Sequence, residues 1–121
     1  VVVPHKSEFL KLSTADLLAR RRELVVALGD LEQVMLGSLV EQFRRCGKDD
    51  CRCATGEPHG PYAYLTPRRA RRGMRYVPTG LVPAVVAHLA QGQHVEAVLA
   101  EISAINVELL ARRELPGSSI S

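Results

Sequence analysis

The run Arg44-Arg45-Cys46-Gly47-Lys48-Asp49-Asp50-Cys51-Arg52-Cys53-Ala54-Thr55-Gly56-Glu57-Pro58-His59-Gly60, continuing into Pro61-Tyr62-Ala63-Tyr64-Leu65-Thr66, decides how the rest of this chain is read. Positions 46–60 are turn-forming residues without apolar periodicity, so the segment is a loop. It holds all three cysteines of the chain, and His59 follows the last of them by six positions. The spacing C-x4-C-x-C-x5-H offers three soft thiolates and one imidazole, the number and type of donors in a closed tetrahedral zinc site. Cys46, Cys51, Cys53 and His59 are therefore the expected metal ligands. Zinc is the expected cofactor, structural because such a set leaves no open coordination position. The Cys-x-Cys step is tighter than a C-x2-C knuckle and needs Arg52 to point outward. His59 can instead cap the turn through Gly60-Pro61, with an outside ligand completing the site. Three ordinary thiols beside a strand-edge histidine are the competing reading.

Working outward, Leu39 and Phe43 alternate with Val40 and Gln42, which predicts a strand leading into Cys46. Residues 61–66 predict a second strand with Tyr62 and Tyr64 on one face. An arginine-rich turn, 67–73, precedes a third strand at 74–77. The three form a small antiparallel meander, with the cysteine loop bridging the first two.

Upstream, Ser13 or Thr14 can cap a helix with Asp16 in its first turn. Leu17, Leu24 and Leu31 recur every seven residues with Leu28 and Met35 interleaved, interrupted once by Arg21. This predicts a long coiled-coil-like helix over about 14–35, weakened by Gly29 and ended by Gly37. Downstream, Thr79 is a candidate cap, with Pro83 in the first turn of a short helix over 81–90. Gly92 separates this helix from a longer one, or bends it into one; Val95, Val98, Ile102, Ile105 and Leu109 give the second part its apolar stripe. The expected fold class is α+β: a long N-terminal helix, a three-stranded meander with a Cys-rich loop, and C-terminal helices packing as a helical hairpin or dimer. Residues 1–12 are read as a flexible lead-in, 13–114 as a single domain and 115–121 as a tail. A homodimer is favoured, because so short a sheet leaves much apolar helix surface uncovered. Asn106, within the last stripe, sets register or faces water.

Composition agrees with helices sharing Leu and Val seams: the 121 residues include no Trp, two Phe and three Tyr. No apolar run is long enough to cross a bilayer, and Val1-Val2-Val3 is too short for a signal sequence. An odd, clustered cysteine count argues for a metal rather than a disulfide framework, in a reducing compartment, so a cytoplasmic location is expected.

Charge is unevenly distributed. Residues 44–75 carry nine Lys/Arg against three Asp/Glu, while the remainder carries seven against ten. Arg68, Arg69, Arg71 and Arg72 crowd a hairpin turn whose nearest preceding carboxylate is Glu57, and the planar guanidinium fork favours phosphate. With Arg44, Arg45, Lys48, Arg52 and Arg75 they make up the expected nucleic-acid-binding set, and Tyr62, Tyr64 and Tyr76 can stack on bases or pack against the helices. Arg20-Arg21-Arg22 and Arg112-Arg113 read as solvated helix faces or as complements to the helix dipole. His5, His88 and His94 have no companion ligands. No P-loop, dinucleotide turn, H-E-x-x-H, C-x-x-C or paired-carboxylate motif is present, so no catalytic residue is assigned. The expected function is a small nucleic-acid-binding accessory protein. The alternative is a dimeric interaction module that binds an acidic partner protein. An enzyme using a cysteine with His59 as base ranks third.

The run Gly37-Ser38-Leu39-Val40-Glu41, Arg45-Cys46-Gly47-Lys48, Cys51-Arg52-Cys53 and His59-Gly60-Pro61-Tyr62 resembles a family of short prokaryotic proteins of unknown function. Its pattern is G-S-L-V-E…R-C-G-K…C-x-C…H-G-P-Y, and the likeness extends through Arg75-Tyr76-Val77-Pro78 to the closing helix, over about 37–112. Such proteins are often encoded beside transposases and phage genes, so the resemblance implies a mobile-element accessory role and joint action of Cys46, Cys51, Cys53 and His59. The chain departs from the pattern at Asp49-Asp50, where two carboxylates weaken phosphate binding by the loop itself.

Overall fold

Ser13 sets the first long helix. In a computed structural model, which describes residues 6–69 and 73–117, its hydroxyl accepts the Asp16 amide at 3.1 Å, satisfying one of the free N–H groups of a helix start. The element order is α1 (Lys6–Phe9), α2 (Thr14–Ala27), β1 (Gly37–Arg44), β2 (His59–Pro67), β3 (Arg75–Val77) and α3 (Val82–Ala111), with short 3-10 turns at Leu31–Gln33, Arg52–Ala54 and Thr79–Leu81. The class is α+β, as expected. The residues group into two compact units.

The helical unit comprises 6–32 and 93–117 of the described residues. Its core is Phe9, Leu17, Leu24, Val98, Ile105 and Leu109, with Leu12, Leu18, Leu28 and Ile102 packed against it. The heptad seam runs only as far as Leu28. Gly29 adopts φ +74°, the left-handed conformation that ends helices, so α2 stops at Ala27 rather than near Met35. Leu31 is exposed, and Gly37 opens β1 instead of closing a helix.

Arginines read as solvated instead join the two long helices. Arg20 Nε donates to Glu101 Oε1 at 2.9 Å, and Arg21 Nη1 donates to Asn106 Oδ1 at 2.8 Å. Arg112 donates to Thr14 Oγ1 of α2 at 3.4 Å, to Glu108 Oε2 at 2.7 Å and to the Phe9 carbonyl of α1 at 3.0 Å. Asn106 therefore faces a partner, and Arg21 bridges the seam it seemed to interrupt. Glu101 is fully buried, and its Oε2 has no hydrogen-bond partner. His94 Nε2 donates to the Ala27 carbonyl at 2.6 Å, tying off the end of α2.

The sheet unit, 33–92, is a meander of order β1-β2-β3, antiparallel throughout. Leu39 pairs with Leu65, Val40 with Tyr64, Gln42 with Tyr62 and Arg44 with His59; Tyr64 pairs in turn with Tyr76, and Ala63 with Val77. Val77 and Leu89 are buried. The Met35 amide donates to the His88 carbonyl at 3.1 Å. A Cβ at Gly92 would run into the Met35 carbonyl, so this glycine permits close backbone approach. It neither ends nor divides the helix, and α3 is one element of 30 residues where two were the first expectation. Thr79 opens the 3-10 turn before α3, and no side-chain cap is made there. Among the described residues, no helix is long and apolar enough to cross a membrane.

Candidate metal centre

Two strand ends bring the cysteine loop back on itself. β1 ends at Arg44 and β2 begins at His59, and these two residues are opposite one another in the ladder. The fourteen residues between must therefore leave and return at one edge of the hairpin. Within the loop, the Cys51 amide donates to the Lys48 carbonyl at 3.1 Å, Ala54 to Cys51 at 3.0 Å and Gly56 to Arg52 at 2.8 Å. These bonds curl 48–56 into consecutive tight turns, one of them the 3-10 turn at Arg52–Ala54. Gly47, at φ +80°, turns the chain straight after the first cysteine.

The result is convergence. Sγ of Cys46, Cys51 and Cys53 and a ring nitrogen of His59 all lie within 4.8 Å of one another. Cys46 Sγ is 3.5 Å from Cys53 Sγ, and Cys51 Sγ is 3.1 Å from His59 Nε2. Zinc–sulfur and zinc–nitrogen bonds of about 2.3 and 2.0 Å place neighbouring donors of a tetrahedron roughly 3.5–3.8 Å apart. The four donors are thus positioned to hold a metal ion, and the set suits zinc. Cys53 is buried, Cys51 half-buried, and Cys46 and His59 are exposed. His59 belongs to β2 itself, so one ligand is carried by the sheet and three by the loop.

Two of the thiols are perturbed in opposite directions. Cys46 is lowered to about 6, first by the Lys48 backbone amide and then by hydrogen bonds from His59, Cys51 and Cys53. At Cys53 the Cys46 amide, which donates to its sulfur at 3.3 Å, pulls the thiol down. Desolvation and the neighbouring Cys51 and Cys46 sulfurs outweigh it, and the net shift is upward. Backbone amides aimed at sulfur favour the thiolate form that a metal requires.

The cations singled out from the sequence take several distinct places. Arg45 Nη1 donates to the Gly56 carbonyl at 2.9 Å and fastens the far side of the loop, a role no sequence signal marks. Lys48 and Arg52 are exposed on the loop. Arg44 lies over the Tyr64 ring, Cζ 4.9 Å from its centroid, and donates to Gln42 Oε1 at 3.2 Å. Arg68 and Arg69 follow β2 directly, and the Arg68 amide donates to the Leu36 carbonyl at 2.9 Å. Arg75 pairs with Leu65 and so lies on the sheet face opposite Tyr76. Arg71 and Arg72 lie outside the described residues.

Because β2 starts at the cysteine loop and is followed directly by Arg68 and Arg69, the loop cations and these two arginines stand at opposite ends of one strand. Nine residues of strand span about 26 Å. Arg68 and Arg69, which directly follow β2, are therefore remote from the candidate metal centre.

Comparison with curated proteins and with solved structures finds no match. Residues 14–87, more than half of the chain, match the model of a family described as Domain of unknown function (DUF6788), and the chain belongs to that family.

Proposed function

We propose that the protein is a small nucleic-acid-binding accessory module whose basic middle is held in shape by zinc. The observation that carries this is the meeting of Cys46, Cys51, Cys53 and His59 donor atoms within 4.8 Å, inside the segment that holds nine of the chain's 16 Lys/Arg. A short loop without apolar periodicity cannot order itself by burial, and a bound metal supplies the missing free energy. Zinc held there would cross-link the end of β1 to the start of β2. The polyanion would meet Arg44, Lys48 and Arg52 at one end of β2, and Arg68, Arg69, Arg71, Arg72 and Arg75 at the other. Arg45 would act by holding the loop. A role beside mobile elements accords with this chemistry and rests on the resemblance alone.

The test has two parts. Elemental analysis of purified protein should find one zinc per chain, reduced in Cys51→Ser. Binding to a labelled oligonucleotide should weaken steeply as salt rises, because each neutralised phosphate releases a counterion. A fully folded, metal-free protein would remove the first half of the reading, and a salt-independent isotherm the second.

A second reading has its own observation. Val25, Val26, Val107 and Leu110 of the helical unit are exposed, which suits a homodimer or a protein partner. Sedimentation of the purified protein at several concentrations decides between monomer and dimer.

A further inference from the structure

All three tyrosines of the chain lie on one face of the sheet. The pairings Tyr62–Gln42, Tyr64–Val40 and Tyr64–Tyr76 place them together by strand alternation. The Tyr76 ring meets Tyr62 at 6.4 Å and 68°, and Tyr64 at 5.8 Å and 65°, both edge-to-face. Tyr76 is 53 % exposed. Arg44 lies on the same face over the Tyr64 ring, its Cζ 4.9 Å from the ring centroid, and Gln42 reaches Met74 Sδ at 3.7 Å beside them. The one carboxylate in the three strands, Glu41, pairs with Ala63 and so falls on the other face. The tyrosine face is therefore aromatic, free of strand carboxylates, and flanked along β2 by a basic cluster at each end.

Building on the proposed nucleic-acid reading, we infer that this face is a stacking platform for single-stranded nucleic acid laid along β2. Phosphates are met by Arg44, Lys48 and Arg52 at the loop end and by Arg68 and Arg69 at the turn end; unpaired bases stack on the Tyr76 ring between them. A strand length of about 26 Å accommodates a run of roughly four nucleotides, the lower end of the site sizes of small aromatic-lined modules. A duplex hides its base faces, so it can use the basic ends but not the tyrosines. Arg44, over Tyr64, keeps its positive charge beside the aromatic surface, where it meets the backbone of a strand whose bases face the rings. The charge of the two ends selects a polyanion, and the aromatic surface between them selects one with exposed rings.

The chain contains no Trp, so its intrinsic emission comes entirely from this platform. The 121-residue zinc-loaded chain is titrated with 15-nucleotide oligo(dT), oligo(U), a 15-base-pair duplex and polyglutamate, following tyrosine emission and, for labelled oligonucleotides, anisotropy. Either single strand should quench the emission and bind about tenfold more tightly than duplex, Tyr76→Ala should lose about tenfold, and Tyr76→Phe should keep wild-type affinity. Circular dichroism and zinc content of each variant verify that the sheet remains folded, and Tyr76→Leu, which keeps apolar bulk without an aromatic ring, should behave like the alanine variant. Salt-sensitive binding with no preference for single strands, no quenching, or no loss in folded Tyr76→Ala and Tyr76→Leu overturns the platform and leaves the broader nucleic-acid reading standing. Binding of polyglutamate alone, or of none of the polymers, overturns both.

Discussion

Arg44 stands directly opposite His59 in the β1–β2 ladder, so the residue that lies over Tyr64 is paired with a candidate metal ligand. The ladder makes the loop and the tyrosine face mechanically adjacent. A ligand atom fixed at His59 restrains the first residue of β2, and through it the last residue of β1, where the Arg44 guanidinium sits 4.9 Å from the Tyr64 ring.

Removing zinc with a chelator should therefore act locally. Amides of the loop and of the Arg44–His59 end of the hairpin should lose hydrogen-exchange protection. Those of α2 and the second half of α3, whose core is Phe9, Leu17, Leu24, Val98, Ile105 and Leu109, should keep it. Uniform loss across both units would contradict a role for the metal confined to the sheet unit.

Arg45 and Arg52 should separate cleanly. Arg45 holds the Gly56 carbonyl, so Arg45→Ala should weaken metal binding by about tenfold or more, as loss of an outer support commonly does. Arg52→Ala, at an exposed position, should leave metal affinity unchanged. Competition with a chromogenic chelator measures both, and equal values would mean that the Arg45 contact has no hold on the loop.

Arg20→Ala should cost about 2–3 kcal/mol in urea denaturation, because it strands a buried carboxylate whose other oxygen already lacks a partner. Arg22→Ala, on the exposed side of the same helix, should stay within about 0.5 kcal/mol of the parent. Similar losses for both would show that the Glu101 contact contributes little.

Gly92→Ala gives a sign test. On helix propensity alone, alanine should stabilise by about 1 kcal/mol. Its Cβ would meet the Met35 carbonyl, which is backbone and cannot swing away, so the expected result is net destabilisation of about 1–3 kcal/mol. A raised melting temperature would refute the close approach.

The loop, the meander and the amphipathic character of both long helices were legible along the chain because each rests on neighbours in sequence. Turn residues without a period, alternation over a few positions, and repeats of three and four are local signals. The extent of the helices was not. On paper Gly37 is the stop and Gly29 only a weakness; the packing of Leu17, Leu24 and Leu28, with Leu31 left exposed, makes Gly29 the end instead. Gly92 looked like a break because a glycine in a helix reads as weakness until the backbone pressing against it is known.

For the candidate site, chemistry came from composition and position came from register. Three thiols and an imidazole within fourteen residues mark a candidate metal site by donor type alone, because zinc coordination needs few atoms and short reach. Which cations support the loop, which lie with the tyrosines and which stand at the far end of β2 depends on cross-strand pairing. A one-residue slip would turn every side chain of a strand to the other face. The sequence by itself thus determined the class and order of the main elements and the candidate ligand set. Only the tertiary structure decided that Arg45 belongs to the loop, that Arg20, Arg21 and Arg112 belong to the helix pair, and that the three tyrosines share a face, because each of these depends on pairing between residues distant along the chain.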